Sequence, residues 1–148
     1  MVIRKWTNLD VENYAKDLFL HLWEECGQGK TKNESVEIKA NIEVLKREIE
    51  AEKIILYGAV ENNCFVGFLL AKKQGFREDE NRIYIEQLWV HNYQAEIYSQ
   101  LLSGIEQEAK SLNVTTIFLH RNVVDRERIC FYEQKGFIKE RIQMVKRI

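Results

Sequence analysis

The sequence contains no proline, no stretch rich in glycine and serine, and no internal repeat. Without such a linker, its 148 residues read as one domain, 1–148, long enough to bury most of its apolar surface and too short for two comfortable cores. It also lacks an excess of either charge: Lys and Arg number 22 against 23 Asp and Glu, a net −1. No global field therefore exists to draw in nucleic acid or an anionic membrane. Long apolar runs are missing as well. The run at 64–71 falls far short of the ~20 residues that span a bilayer, and no basic segment with an apolar core opens the chain. A cytoplasmic protein with neither a membrane nor a nucleic-acid partner is expected. Cys26, Cys64 and Cys130 are scattered, with no CxxC pair and no histidine at metal spacing. They read as reduced thiols, Cys64 and Cys130 as small buried hydrophobes, and no metal site is expected.

What is present is a regular alternation of patterns. After a short strand at 1–6, Thr7-x-x-Asp10 has the form of a capping box with Asp in place of Glu. Val11, Tyr14, Ala15, Leu18, Phe19 and Leu22 then recur at helical spacing. A second helix starts near Asn33, with Ile38, Ile42, Leu45 and Ile49 on its apolar stripe. From Lys53 the period changes. Runs at 54–60 and 65–71 flank Glu61-Asn62-Asn63 and predict a β-hairpin, and the second run is so apolar that both of its faces must be covered. A strand at 82–91 follows, then a helix carrying Ile97, Leu101, Leu102, Ile105, Ala109 and Leu112. The chain ends in a strand at 115–119, a short helix at 125–135 stopped by Gly136, and a strand from Phe137. The order is βααβββαβαβ, an α/β or α+β sandwich with a strand–helix–strand crossover in its second half.

Three pieces of this order carry a resemblance to the GNAT superfamily of N-acetyltransferases. Ile85-Glu86-Gln87-Leu88-Trp89-Val90 resembles the strand whose splayed end receives the pantetheine arm of acetyl-CoA. Ser99-Gln100-Leu101-Leu102 with Ala109 resembles the long helix that follows, and Phe131-Tyr132-Glu133-Gln134-Lys135-Gly136-Phe137 resembles the closing motif. The resemblance implies a mixed, mostly antiparallel sheet with helices on both faces. It implies acetyl-CoA as cosubstrate and a primary amine, on a small molecule or a protein, as acceptor. It also implies cofactor contacts from Leu88, Trp89, Val90, Gln94, Ala95, Glu96, Ile97, Tyr98, Ser99 and Asp125, with Trp23 and Tyr84 towards the acceptor.

The chemistry can be stated without the family. An alkylammonium with a pKa near ~10 has no lone pair for attack on a thioester at neutral pH, so a base must take its proton. Glu86, an ionisable residue in an apolar strand, alternates onto the face of Tyr84, Leu88 and Val90 and is the candidate. Pairing with a Lys or Arg suits it equally. A departing thiolate needs a proton, and Tyr132 is the candidate acid; packing beside Phe131 and Phe137 is its other reading.

One segment departs from the family. Where Arg/Gln-x-x-Gly-x-Gly/Ala cradles the pyrophosphate at a helix start, this chain has Tyr93 or Gln94 at the first position and Glu96 and Tyr98 at the two glycines. A carboxylate about 5 Å from a phosphate charge costs roughly 3 kcal/mol at an effective dielectric of ~20. Two expectations follow. One is an acetyltransferase using Glu86 and Tyr132. The other is a GNAT-fold binding or interaction module, with a homodimer as one form, that has lost pyrophosphate binding.

Overall fold

The computed structural model describes residues 1–25, 34–74 and 81–148, with side chains described for 1–21, 41–74 and 81–148. Its elements run β1 (Val2–Lys5), α1 (Asn8–Asn13), α2 (Ala15–Glu25), α3 (Glu34–Glu50), β2 (Ile54–Glu61), β3 (Cys64–Gln74) and β4 (Arg82–Val90). A 3-10 turn (His91–Tyr93) leads into α4 (Ala95–Ser111), followed by β5 (Thr116–Phe118) and α5 (Arg126–Gln134). The five strands form one sheet in sequence order. β1 to β4 are antiparallel, and β5 joins β4 in parallel after the α4 connection.

The β2–β3 hairpin closes where expected. Asn62 and Asn63 both take positive φ, 50° and 61°, as a type I′ turn requires and as asparagine tolerates. β3 is covered on both faces. Phe68 and Leu70 pack with Trp6, Val11, Leu18, Phe19 and Leu45 under α1, α2 and α3, whereas Leu69 and Ala71 pack with Ile97, Leu101 and Ile105 of α4. Trp6 fits because β2 has glycine opposite it: a Cβ on Gly58 would lie 1.8 Å from the indole. The Asp10 carboxylate, 5% exposed, accepts from the Thr7 N–H at 2.9 Å, the Thr7 hydroxyl and Arg4, completing the capping box.

Three expectations need correction. The first helix is two, because Tyr14 (φ −116°, ψ 18°) interrupts it between α1 and α2, while Val11, Ala15, Leu18 and Phe19 still bury together. No strand forms from Phe137. Residues 137–148 carry no helix or strand, and Ile138, Ile142, Met144 and Val145 are exposed. The cause is pattern: charges fall on both faces of the tail, and β5 offers an edge only three residues long. Finally, Cys64 and Cys130 are exposed, one at the hairpin turn and the other on the outer side of α5.

Candidate active site

β4 and β5 share only the pairs Arg82–Thr116, Ile83–Ile117 and Tyr84–Phe118. β5 then ends, while β4 continues to Val90. The strands part, and a cavity of about 720 Å³ opens beyond the split. Trp89 from β4, Tyr93, Ala95 and Tyr98 from the start of α4, and Arg121 after β5 line it; Asp125, Glu127, Arg128, Phe131 and Tyr132 close it from the α5 side. A split at the carboxyl ends of two parallel strands, beside a helix start, is a place where a sheet accepts a ligand.

The α5 wall follows from helical spacing. Asp125, Arg128 and Tyr132 stand at i, i+3 and i+7 and face the same way. Tyr132 is 4% exposed, with Phe131 and Phe137 edge-on to its ring, each at 5.4 Å. Gly136 makes the second contact possible. At φ +92° it adopts the left-handed conformation that ends the helix, so that the Gly136 N–H donates to Glu133 O and the Phe137 N–H to Tyr132 O, both at 3.0 Å. The Tyr132 hydroxyl accepts from Arg121 Nη2 at 3.3 Å, and the guanidinium carbon lies 5.6 Å from its ring. Arg121 thus engages one lone pair of the phenol oxygen.

Glu86 occupies a different setting from the one alternation implies. Ala71 pairs with Ile85 and Leu70 with Gln87, so Glu86 is the extra residue of a β-bulge. The bulge reverses the alternation, which is why Ile83, Ile85, Leu88 and Val90 all reach the α4 core and Glu86 does not share their face. Its Oε2 lies 3.1 Å from Lys72 Nζ, and it is not among the cavity-lining residues.

The start of α4 is more open than the substitutions implied. Glu96 is exposed and accepts from Gln100 Nε2 at 3.1 Å, one turn along its own helix, and it does not line the cavity. Tyr98 does line it, but is buried and tilted against Phe131 at 5.5 Å. Gln94 caps α4 without a side-chain hydrogen bond, and Ser99 Oγ donates to Ala95 O. Leu88, Val90 and Ile97 are core residues. Tyr84 stacks on Phe118 at 5.0 Å and leans on His120, away from the cavity-lining set. The Trp23 side chain lies outside the described residues.

The cavity thus gathers Trp89, Ala95, Tyr98, Asp125 and Tyr132 of the residues read from sequence, and adds Arg121, Glu127 and Arg128. Arg128 had a sequence signal, its position four residues before Tyr132 on the same helical face. Arg121 had none, because it lies in the irregular segment between β5 and α5.

A family model described as the acetyltransferase (GNAT) family matches residues 15–137. No curated protein matches the sequence. Among solved structures, a probable acetyltransferase superposes with a TM-score of 0.79 at 15% identity, covering 100% of this chain and 98% of its own. AAC(6')-Iy, in complex with the bisubstrate analogue CoA-S-monomethyl-acetylneamine, gives 0.75 at 15% identity, with 99% and 97% covered. A predicted acetyltransferase from Clostridium acetobutylicum, solved with acetyl-CoA, gives 0.73 at 18%, with 99% and 95% covered. At such identities the likeness is one of fold.

Proposed function

Because this chain belongs to the GNAT acetyltransferase family, we propose that it transfers an acetyl group from acetyl-CoA to a primary amine by direct attack, within one domain. One observation carries the reading: a buried phenol, Tyr132, stands at the wall of a cavity between the split strands, its oxygen held by Arg121. The cavity suits the cosubstrate. Ala95 presents a small side chain at the start of α4, Glu96 is turned away, and Arg128 brings positive charge. When bound, acetyl-CoA supplies an activated acyl carbon.

Glu86 takes the amine's proton, directly or through water, so that the nitrogen can bond to that carbon. Its Lys72 partner does not prevent this, since partly exposed ion pairs contribute only about 0–1 kcal/mol and open readily. As the carbon–sulfur bond breaks, Tyr132 gives its hydroxyl proton to sulfur, the Arg121 guanidinium stabilises the charge left on the phenol oxygen, and the surplus proton of the acylated nitrogen returns to that oxygen, leaving a neutral amide and a free thiol. Trp89, Ala95, Tyr98 and Asp125 bound the pocket for the cosubstrate, with Leu88, Val90, Gln94, Ile97 and Ser99 supporting that wall.

The acceptor is a small-molecule or protein amine. Aminoglycoside acetyltransferases of the same fold support the small-molecule class. Trp23 and Tyr84 remain the acceptor-side candidates. Among the described residues, no helix is long and apolar enough to cross a membrane.

Steady-state assays with acetyl-CoA and a panel of amines test the roles. Tyr132→Phe and Glu86→Gln should each lower kcat about 10²–10⁴-fold, the range for a lost general acid or base, with little change in acetyl-CoA affinity. Unchanged kcat in both variants would overturn the assignment.

A further inference from the structure

Where β4 turns into α4, Asn92 and Tyr93 follow one another in the left-handed region, at φ 53° and 52°. The other consecutive pair of this kind among the described residues, Asn62 and Asn63, consists of two asparagines turning a hairpin. Asparagine tolerates the conformation through local hydrogen bonds, whereas tyrosine brings only bulk to it. A bulky residue stays in such a place when its surroundings hold it there, and strained backbone of this kind gathers at ligand clamps and switch regions.

The core does not hold Tyr93, which is 71% exposed. Its ring instead meets Arg128 of α5, whose guanidinium carbon lies 5.6 Å from the ring centroid. Asp125 Oδ2, 3.8 Å from Arg128 Nε, keeps the cation on that side. Tyr93 and Arg128 both line the cavity, one from the β4–α4 corner and the other from α5, so their contact runs from wall to wall. It does so at the outer end, because the buried Tyr132 marks the inner one. A cation–ring contact at an exposed site and the strain of a left-handed tyrosine are comparable in size and opposite in sign. Such a balance gives the corner two states, one with the ring on Arg128 and the other with the backbone relaxed and the ring released.

We propose that Tyr93 and Arg128 form a clasp across the outer end of the cavity, hinged at Asn92 and Tyr93, which opens to admit and release acetyl-CoA. This rests on the acetyl-CoA reading above. Residues at the end of an element absorb the backbone change, as in other hinged closures. The contact bars entry and exit alike, so it sets the rate of exchange and leaves the affinity where it is.

Surface plasmon resonance with acetyl-CoA flowing over the immobilised protein reads both rate constants and tests the clasp. Tyr93→Ala should raise the association and dissociation rate constants together by about 2- to 5-fold, the scale of a lost cation–ring contact at an exposed site, with Kd unchanged. Tyr93→Phe keeps the ring face and should exchange as wild type does. In an Arg128→Gln background, Tyr93→Ala should change neither rate constant further, because the contact is already gone. Matched unfolding midpoints check that the variants fold alike.

Unchanged rate constants in Tyr93→Ala, a dissociation rate that rises alone with weaker affinity, or the same acceleration by Tyr93→Ala in the Arg128→Gln background would each overturn the clasp and leave the acetyl-CoA reading standing. No binding of acetyl-CoA to wild type would overturn both.

Discussion

Two phenols show how neighbours set the work of a residue. Tyr132 accepts a hydrogen bond from a cation, Arg121, and faces a cavity. Tyr57 instead donates towards the Glu108 carboxylate at 3.5 Å, and burial first, then that negative charge, holds its pKa above the usual phenol value. The folded state therefore keeps the Tyr57 proton at a pH where the unfolded chain has lost it. Its contribution to stability is complete below about pH 10 and is lost as pH rises through the higher folded value. Urea midpoints against pH should accordingly decline less steeply above about pH 10 in Tyr57→Phe than in wild type; identical slopes would contradict this. Tyr132 was legible in the sequence because a glycine and two phenylalanines at fixed offsets mark it. Glu86 was legible as a residue but not in its direction, since a bulge leaves no trace in the alternation that precedes it.

At the scale of elements, hydrophobic periodicity located the helices and strands, and their ends followed local chemistry. The stripe of α4 is buried as its spacing implied, from Ile97 to Ala109. The break at Tyr14 was not visible, because residues on either side of it continue the same apolar face. The absent last strand has a related cause: isolated apolar residues between charges suggest a strand without supplying a face to bury. The α5 terminus is the element on which the site most depends. A Cβ on Gly136 would meet nothing within 4 Å, so the need for glycine there is conformational and not one of space. Gly136→Ala should cost about 1–2 kcal/mol in chemical denaturation, the usual penalty for a side chain in the left-handed region. It should also lower kcat by freeing Phe137 from the Tyr132 ring. Wild-type stability and kcat together would show that the cap does not position the phenol.

At the scale of the molecule, the five strands of the described residues, in sequence order with β5 parallel to β4 and the others antiparallel, place a split where β5 stops and β4 continues. Element order made that architecture readable, because a hairpin followed by strand–helix–strand allows few arrangements. The cavity's charge balance was not readable, since Arg121, Asp125, Glu127 and Arg128 meet only through the fold. The central claim is that this cavity takes acetyl-CoA despite lacking the glycine cradle. Titrating acetyl-CoA into the protein while following thermal unfolding tests it most directly. Binding to the native state stabilises by about 2.7 kcal/mol at a ligand concentration of 100 Kd, so the midpoint should climb progressively with concentration. An unfolding midpoint that stays fixed up to millimolar acetyl-CoA would contradict the account.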